Sequence, residues 1–300
     1  MEAKDFYVNA TKKLIIEVDG KTYARHAIQI PFVNVGDDYD ALVRQYVVPL
    51  WQSGDIVSVS EKIVALCQKR VVYAQDVQPG LLARILCRFV AQTKAGPGAG
   101  VPYKMQFAIN QCGAPKILWA AFRAAIDKLR GVHGTFYKIA GDEVYGLDGF
   151  FGHDIEEYAE MGIRIPADPD GVCNKVFQET GVVSMIVDAN ALAQEILGKC
   201  DALRDWPDET LSRLIGDNPA GQVRQLTPFI LIRPIAAEEV EACEAARVQT
   251  VELDPKTGLP SFSDAALQLS SHFYRALGEH LARGYRGPAK KELAQTVTFR

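Results

Sequence analysis

Several features that would assign a chain quickly are missing here. The six cysteines, Cys67, Cys87, Cys112, Cys173, Cys200 and Cys243, stand far apart, and none belongs to a CxxC pair. That spacing argues against a zinc site and, in 300 residues, against a disulfide framework. The thiols read as small buried hydrophobes. No apolar run approaches the roughly eighteen residues of a membrane span. Residues 1–9 carry Glu2, Lys4 and Asp5 with no apolar stretch behind them, so no secretory signal and a cytoplasmic protein are expected. Basic charge is scarce too: a net charge of -4, a pI near 5.8 and scattered Lys and Arg leave no footprint for nucleic acid. The glycine-rich stretch at 94–100 contains no GK[ST] and no strict GxGxxG, so it carries neither of the two commonest nucleotide fingerprints.

What is present describes a globular chain, 48% hydrophobic and 23% charged, long enough for one large domain or two smaller ones. Residues 12–18 and 22–30 flank Asp19-Gly20, a strong hairpin signal. Gly36-Asp37-Asp38 opens a helix over 39–50 that sets Leu42, Val43, Tyr46 and Val47 on one face, and Gly54-Asp55 leads into a strand at 56–59. An amphipathic helix over 79–93 places Leu82, Ile85, Leu86 and Phe89 at three- and four-residue steps. It ends in a stretch with Gly96, Gly98 and Gly100, either an active-site loop or a plain linker. Residues 103–110 fit helix or strand equally. A helix over 116–129 lies between Pro115 and Gly131 and turns Trp119, Phe122 and Ile126 toward the core. A short helix at 207–215 and the Gly/Pro-rich loop 216–222 precede Thr227-Pro228 and a buried strand at 229–232. From 236 the character changes to an acidic helix at 238–248, turn chemistry at 254–260, a helix at 267–281 and a polar tail. There is no internal repeat.

Two aspartates stand out. Asp148 follows a strand-like run and sits between Leu147 and Gly149, where the backbone can turn sharply. Asp188 ends the apolar run 182–187, read as a buried strand passing into a helix over 190–197. A carboxylate at such a strand end points into a crevice, where it can position a metal or a phosphate. On residue type alone, an Asp before a helix is as well an N-cap, and an Asp beside Gly a turn residue. His133, in a Gly-flanked loop, could be a ligand or base, or neither.

Taken in order, Ile30-Pro31, Gly36-Asp37-Asp38, Gly54-Asp55 with Ser60, Gly146-Leu147-Asp148, Asp168-Pro169-Asp170-Gly171, Val187-Asp188 and Thr227-Pro228 before residues 229–233 form a constellation. It resembles the coenzyme F420-0:L-glutamate ligase (gamma-glutamyl ligase) family over roughly residues 28–233. The elements Leu147-Asp148-Gly149, Val187-Asp188-Ala189-Asn190 and Asp217-Asn218-Pro219-Ala220-Gly221-Gln222 are most similar to a divergent bacterial branch of it. The resemblance implies an α+β fold of mixed sheets with flanking helices, a ligase-like domain at 1–234 and a helical C-terminal extension at 235–300. It also implies a homodimer and a GTP- and Mg²⁺- or Mn²⁺-dependent ligase. Such an enzyme joins a small carboxylate to the amine of L-glutamate through an acyl phosphate. By position, Asp148 and Asp188 match the metal ligands. Ile30, Pro31, Phe32, Val33, Ser60 and Glu61 match nucleotide contacts, and the branch elements add Asn190, Asn218 and Gln222.

Three positions depart from the family pattern. Leu66 stands where the family has a phosphate-contacting lysine, leaving Lys62 or Lys69 to substitute; Phe151 replaces an Asn and Ala189 a Thr. The Arg-rich turn that follows in the family is replaced by residues 191–194, which read as plain helix. These departures favour an alternative, a non-catalytic small-molecule-binding member that kept the fold. A third reading is a metal-dependent hydrolase in which the aspartates activate water.

Overall fold

Asp19 and Gly20 both hold left-handed backbone, φ 51° and 73°, the geometry a two-residue turn between twisted strands requires. They join β1 (Ile15–Val18) to β2 (Lys21–Ile28), with Val18 opposite Lys21, as the sequence predicts. The computed structural model describes residues 1–9, 11–90, 98–150, 160–189, 194–221, 225–248, 252–253 and 260–261. The expectations for Phe151, the turn at 254–259, the helix at 267–281, the polar tail and most of the glycine-rich stretch fall outside the described residues. The chain divides into two compact units: Met1–Val33, Asp38–Ser60 and Asp168–Arg300 form one, Asn34–Asp37 and Glu61–Ala167 the other.

In the first unit the hairpin belongs to a six-stranded sheet with β3 (Ile56–Ser60), β7 (Ser184–Ala189), β8 (Gln194–Lys199) and β9 (Phe229–Pro234). The strand order is β1-β2-β9-β3-β7-β8, and only the β3–β7 pair is parallel. Interior strand β9 is buried at every position from 229 to 233, which explains its unbroken apolar run. The helices of this unit are α1 (Tyr39–Leu42), continuing as a π-helical turn Val43–Val47, α8 (Pro169–Thr180), α9 (Asp208–Leu214) and α10 (Ala237–Val248). Helices and a mixed sheet in one chain make this an α+β protein.

Two buried arginines organise the unit. Arg233, on β9, meets both carboxylate oxygens of Asp55 at 2.8 and 2.6 Å and donates to the carbonyls of Met1 and Leu50. Arg25, on β2 and fully buried, donates to both oxygens of Asp217 at 2.5 and 2.9 Å and to the carbonyls of Lys13 and Leu214. A desolvated guanidinium is tolerable only when its donors are met in this way.

The second unit holds α2 (Glu61–Cys67), α3 (Leu81–Leu86), α4 (Pro102–Cys112), α5 (Ala114–Leu129), α6 (Thr135–Ala140) and α7 (Asp142–Tyr145). An antiparallel sheet of β4 (Val71–Tyr73), β6 (Met161–Ile163) and β5 (Asp148–Gly149) completes it. The ambiguous segment 103–110 is helical. Two expectations are corrected. The helix over 79–93 is shorter: α3 gives way to a 3-10 turn at Cys87–Phe89 and extended backbone at Val90. In α5, Trp119 and Phe122 are 55% and 56% exposed, while Ile117 and Ala120 are buried against Met105, Ala108 and Phe136. This helix is apolar around most of its circumference, and its smaller side chains let neighbouring helices approach closely. Bulk in the sequence therefore marked the wrong face.

Phe122→Ser is expected to change stability by no more than about 0.5 kcal/mol, whereas Ile117→Ala costs about 2 to 5 kcal/mol, as read by urea unfolding. A pH effect follows from His26, whose Nδ1 accepts the Tyr7 N–H at 2.8 Å. Burial lowers its pKa from 6.5 to about 4, with the Tyr7 hydrogen bond opposing and Arg233 assisting. The unfolded chain thus binds the extra proton first. The contribution of roughly 3 kcal/mol is complete above pH 6.5 and is lost as pH falls from there through about 4. Unfolding midpoints of wild type and His26→Gln across this window measure it, because the variant lacks that part of the slope.

Candidate functional site

Strand directions bring several of the singled-out residues to one end of the six-stranded sheet. Ile28 on β2 pairs with Phe229 at the start of β9, Phe229 pairs with Val59 near the end of β3, and Ser60 pairs with Val187 near the end of β7. Beyond the strands, the Ile30 N–H donates to the Leu226 carbonyl and the Ser60 N–H to that of Pro228, both at 2.9 Å. Ile30, Ser60, Asp188 and Thr227-Pro228 therefore share this end, outside the carboxyl ends of the parallel strand pair, where open mixed sheets commonly form crevices. Ile30 and Val33 are buried, while Pro31 and Phe32 are partly exposed between them.

Asp188 is not a helix cap. Residues 194–197 of the expected helix at 190–197 belong instead to strand β8, antiparallel to β7, and Asp188 stands directly opposite Glu195; residues 190–193 lie outside the described residues. A bulge at Ile186/Val187 shifts the register beside this pair. Opposed residues of an antiparallel pair point to the same face with Cβ atoms about 5 Å apart, and two acids so placed repel unless a cation lies between them. The helical reading of this segment hid Glu195, since helix spacing gives it no relation to Asp188. Two carboxylates fit a Mg²⁺ or Mn²⁺ ion that takes its other ligands from phosphate and water. Among the described residues no group of three or more His, Cys, Asp or Glu is placed to hold a metal. Asn190 and Gln222 lie outside the described residues.

The Gly/Pro-rich loop at 216–221 is braced by side chains from several elements. Asp217 is held by Arg25, and its carbonyl accepts from Lys12 Nζ at 2.5 Å. Asn9 Nδ2 donates to the Pro219 carbonyl and to Thr227 Oγ1, each at 2.8 Å, and Thr227 donates to Ala220. Asn218 is buried in left-handed backbone, φ 51°, and its Nδ2 donates to Gly221. Asp168 and Asp170 are also structural. The first caps α8 by accepting from Gly171, and the second accepts the Lys199 N–H on β8.

Asp148 lies in the other unit, in a different setting. The run before it is helical, α6 and α7, rather than a strand, and Asp148 opens the two-residue β5 opposite Ile163. Gly149 follows at φ 97°, and a Cβ there would stand 2.3 Å from the Met161 carbonyl oxygen. Lys62 Nζ is 2.5 Å from Asp148 Oδ2, while Lys104 Nζ is 3.9 Å and the Gly149 N–H 2.8 Å from Oδ1. Burial pushes the Asp148 carboxyl up, but Lys62, then Lys104 and the Gly149 N–H, outweigh it and hold it below the usual carboxylate range. Burial lowers the Lys104 ammonium to about 8, with Asp148 opposing and Lys62 assisting. A metal at Asp148 would have to displace Lys62.

Leu66 is fully buried in the core, so no cation is replaced in kind. Of the two substitutes, Lys62 reaches Asp148, whereas the stem of Lys69 lies along Gly36. Glu61 is buried and His133 is exposed. No protein-family model and no curated protein matches the chain. Gly149→Ala is expected to destabilise by about 2 kcal/mol or more, from strained backbone and the clash with Met161. Gly131→Ala, also at positive φ but with open space around its Cβ position, costs about 1 kcal/mol. Urea midpoints of the two variants measure the difference.

Proposed function

We propose that this protein is a metal- and nucleotide-dependent acid–amine ligase of the coenzyme F420-0:L-glutamate ligase type, joining a small carboxylate to an amine such as that of L-glutamate. The observation that carries it is the sheet end where Ile30, Ser60 and Asp188 meet through the pairing of β2, β9, β3 and β7. Residues singled out from separate stretches of sequence converge there, which supports the reading. In this reading Asp188 and Glu195 hold Mg²⁺ or Mn²⁺, which when bound neutralises phosphate charge during acyl phosphorylation. Residues 30–33 form a wall for the nucleotide, and the Ser60 hydroxyl supplies a hydrogen bond. The braced Asn218 loop keeps that end of the sheet rigid, which suits a reaction driven by positioning. The homodimer and the cytoplasmic setting belong to the same proposal.

The ion pairing of Asp148 favours a second reading, in which the chain kept the fold and binds a small anion without nucleotide chemistry. Calorimetry with GTP and then ATP, each with Mn²⁺ or Mg²⁺, separates the two. The ligase predicts metal-dependent nucleotide binding that weakens about tenfold or more in Asp188→Asn and in Glu195→Gln, from loss of one charged ligand. Absence of binding by either nucleotide in folded protein would sink it.

A further inference from the structure

The second unit turns large apolar side chains outward on two of its helices. On α5, Leu118, Trp119, Phe122 and Leu129 are between 46% and 90% exposed. Steps of three, four and seven residues keep them within one arc of the helix, opposite the buried Ile117 and Ala120. Together they present on the order of 400 Å² of apolar surface, a patch that marks an interaction face rather than scattered exposure. On α3 and the turn after it, Leu81, Ile85 and Phe89 repeat the pattern at four-residue steps.

The charge around these side chains has one sign. Between Asp76 and Asp142 the chain holds nine Lys and Arg and one acid, Asp127, although its net charge is -4. The Asp127 side chain is 14% exposed, and its oxygens are met by Arg123 at 3.6 Å and by the Thr135 hydroxyl at 2.8 Å. Helical spacing sets Lys116, Arg123 and Arg130 along one flank of the apolar arc and Lys128 along the other. Arg123 also lies 6.0 Å from the centre of the Trp119 ring. Helices α4 and α6, which pack against α5, contain no Asp or Glu. On α3, Arg84 and Arg88 are exposed between the apolar side chains.

This combination selects an occupant. A second copy of the chain would meet the face with like charge: in an antiparallel pair, Lys116 of one copy approaches Lys128 and Arg130 of the other. An acidic protein would need a groove shaped to rings that stand singly on a helix ridge, whereas a fluid bilayer conforms to them. Trp and Phe settle at the level of lipid headgroups, and Lys and Arg stems reach the phosphates beside them. We propose that the outward face of α5 binds the surface of a bilayer containing anionic phospholipid. Its apolar arc lies among the headgroups, and the flanking Lys and Arg lie on their phosphates. No described helix is long and apolar enough to cross a membrane, so the contact is with the surface alone. The proposal is independent of the ligase reading.

The full chain is pelleted with sucrose-loaded vesicles of phosphatidylcholine, alone or with about one third phosphatidylglycerol. Binding to the anionic vesicles is expected, about tenfold or more tighter than to the neutral ones, and weakening as sodium chloride is raised. Phe122→Ser, whose effect on folding is small, weakens it about tenfold by removing an inserted ring. Lys128→Gln weakens it about fivefold, the effect of one charge at an anionic surface. Folded protein that stays in solution with anionic vesicles, equal pelleting with neutral ones, or unchanged binding in Phe122→Ser would overturn the proposal. Retention on heparin without vesicle binding assigns the face to an acidic macromolecule and overturns the lipid assignment. A dimer seen by sedimentation and lost in Phe122→Ser assigns it to a second copy and does the same.

Discussion

The buried guanidinium of Arg25 is the constraint on which the first unit depends. It projects from β2 with no exposure to water, and its bonds run to Asp217, Lys13 and Leu214. Those partners come from the segment before β1, the end of α9 and the loop after it. An isolated charge in this position would cost several kcal/mol, and only simultaneous arrival of the partners removes that cost. The loop at 216–221 is therefore fixed as a consequence of folding the sheet. Its fixity passes through Asn9 and Thr227 to the start of β9, the sheet end where Ile30 and Ser60 also lie. Rigidity at the candidate site is thus inherited from a charge buried well inside the unit.

A comparable dependence links Asp148 to its turn. Gly149 must be glycine because the backbone turns left-handed against β6, and the same turn delivers its N–H to the Asp148 carboxylate. The carboxylate is oriented before any ligand arrives, and the two lysines on it inherit that orientation. Packing of Leu147 and Phe150 on either side keeps the segment in place.

How far these features could be read from sequence follows from the range of the interactions behind them. The Asp19-Gly20 hairpin, the start of α5 at Pro115 and the buried run of β9 depend on neighbours a few residues away, and the chain states them directly. The segment 190–197 reads as helix because Ala191, Leu192 and Ala193 have helical preference, yet residues 194–199 form a strand since β7 offers an unpaired edge. Propensity yields to pairing there, and with it went any view of Glu195. The apolar face of α5 was misjudged for a related reason. Periodicity reports that a helix has an apolar side, but which side is buried depends on how closely another helix can approach. Lys104 gave no signal at all, since nothing in Pro102-Tyr103-Lys104 announces that the third residue will be buried beside a carboxylate 44 positions later.

The two aspartates drawn from one family pattern end in opposite electrostatic surroundings. Asp188 stands opposite a second carboxylate, that of Glu195, across a strand pair. Asp148 is ion-paired with two ammonium groups, those of Lys62 and Lys104. Residue type is the same in both, and the sequence reads each as following a strand, so neither could have separated them; the difference comes from partners distant in sequence. Position 66 carries no charge for a physical reason of its own: Lys62, one turn earlier on α2, reaches Asp148 while Leu66 is turned into the core, where an ammonium would be desolvated.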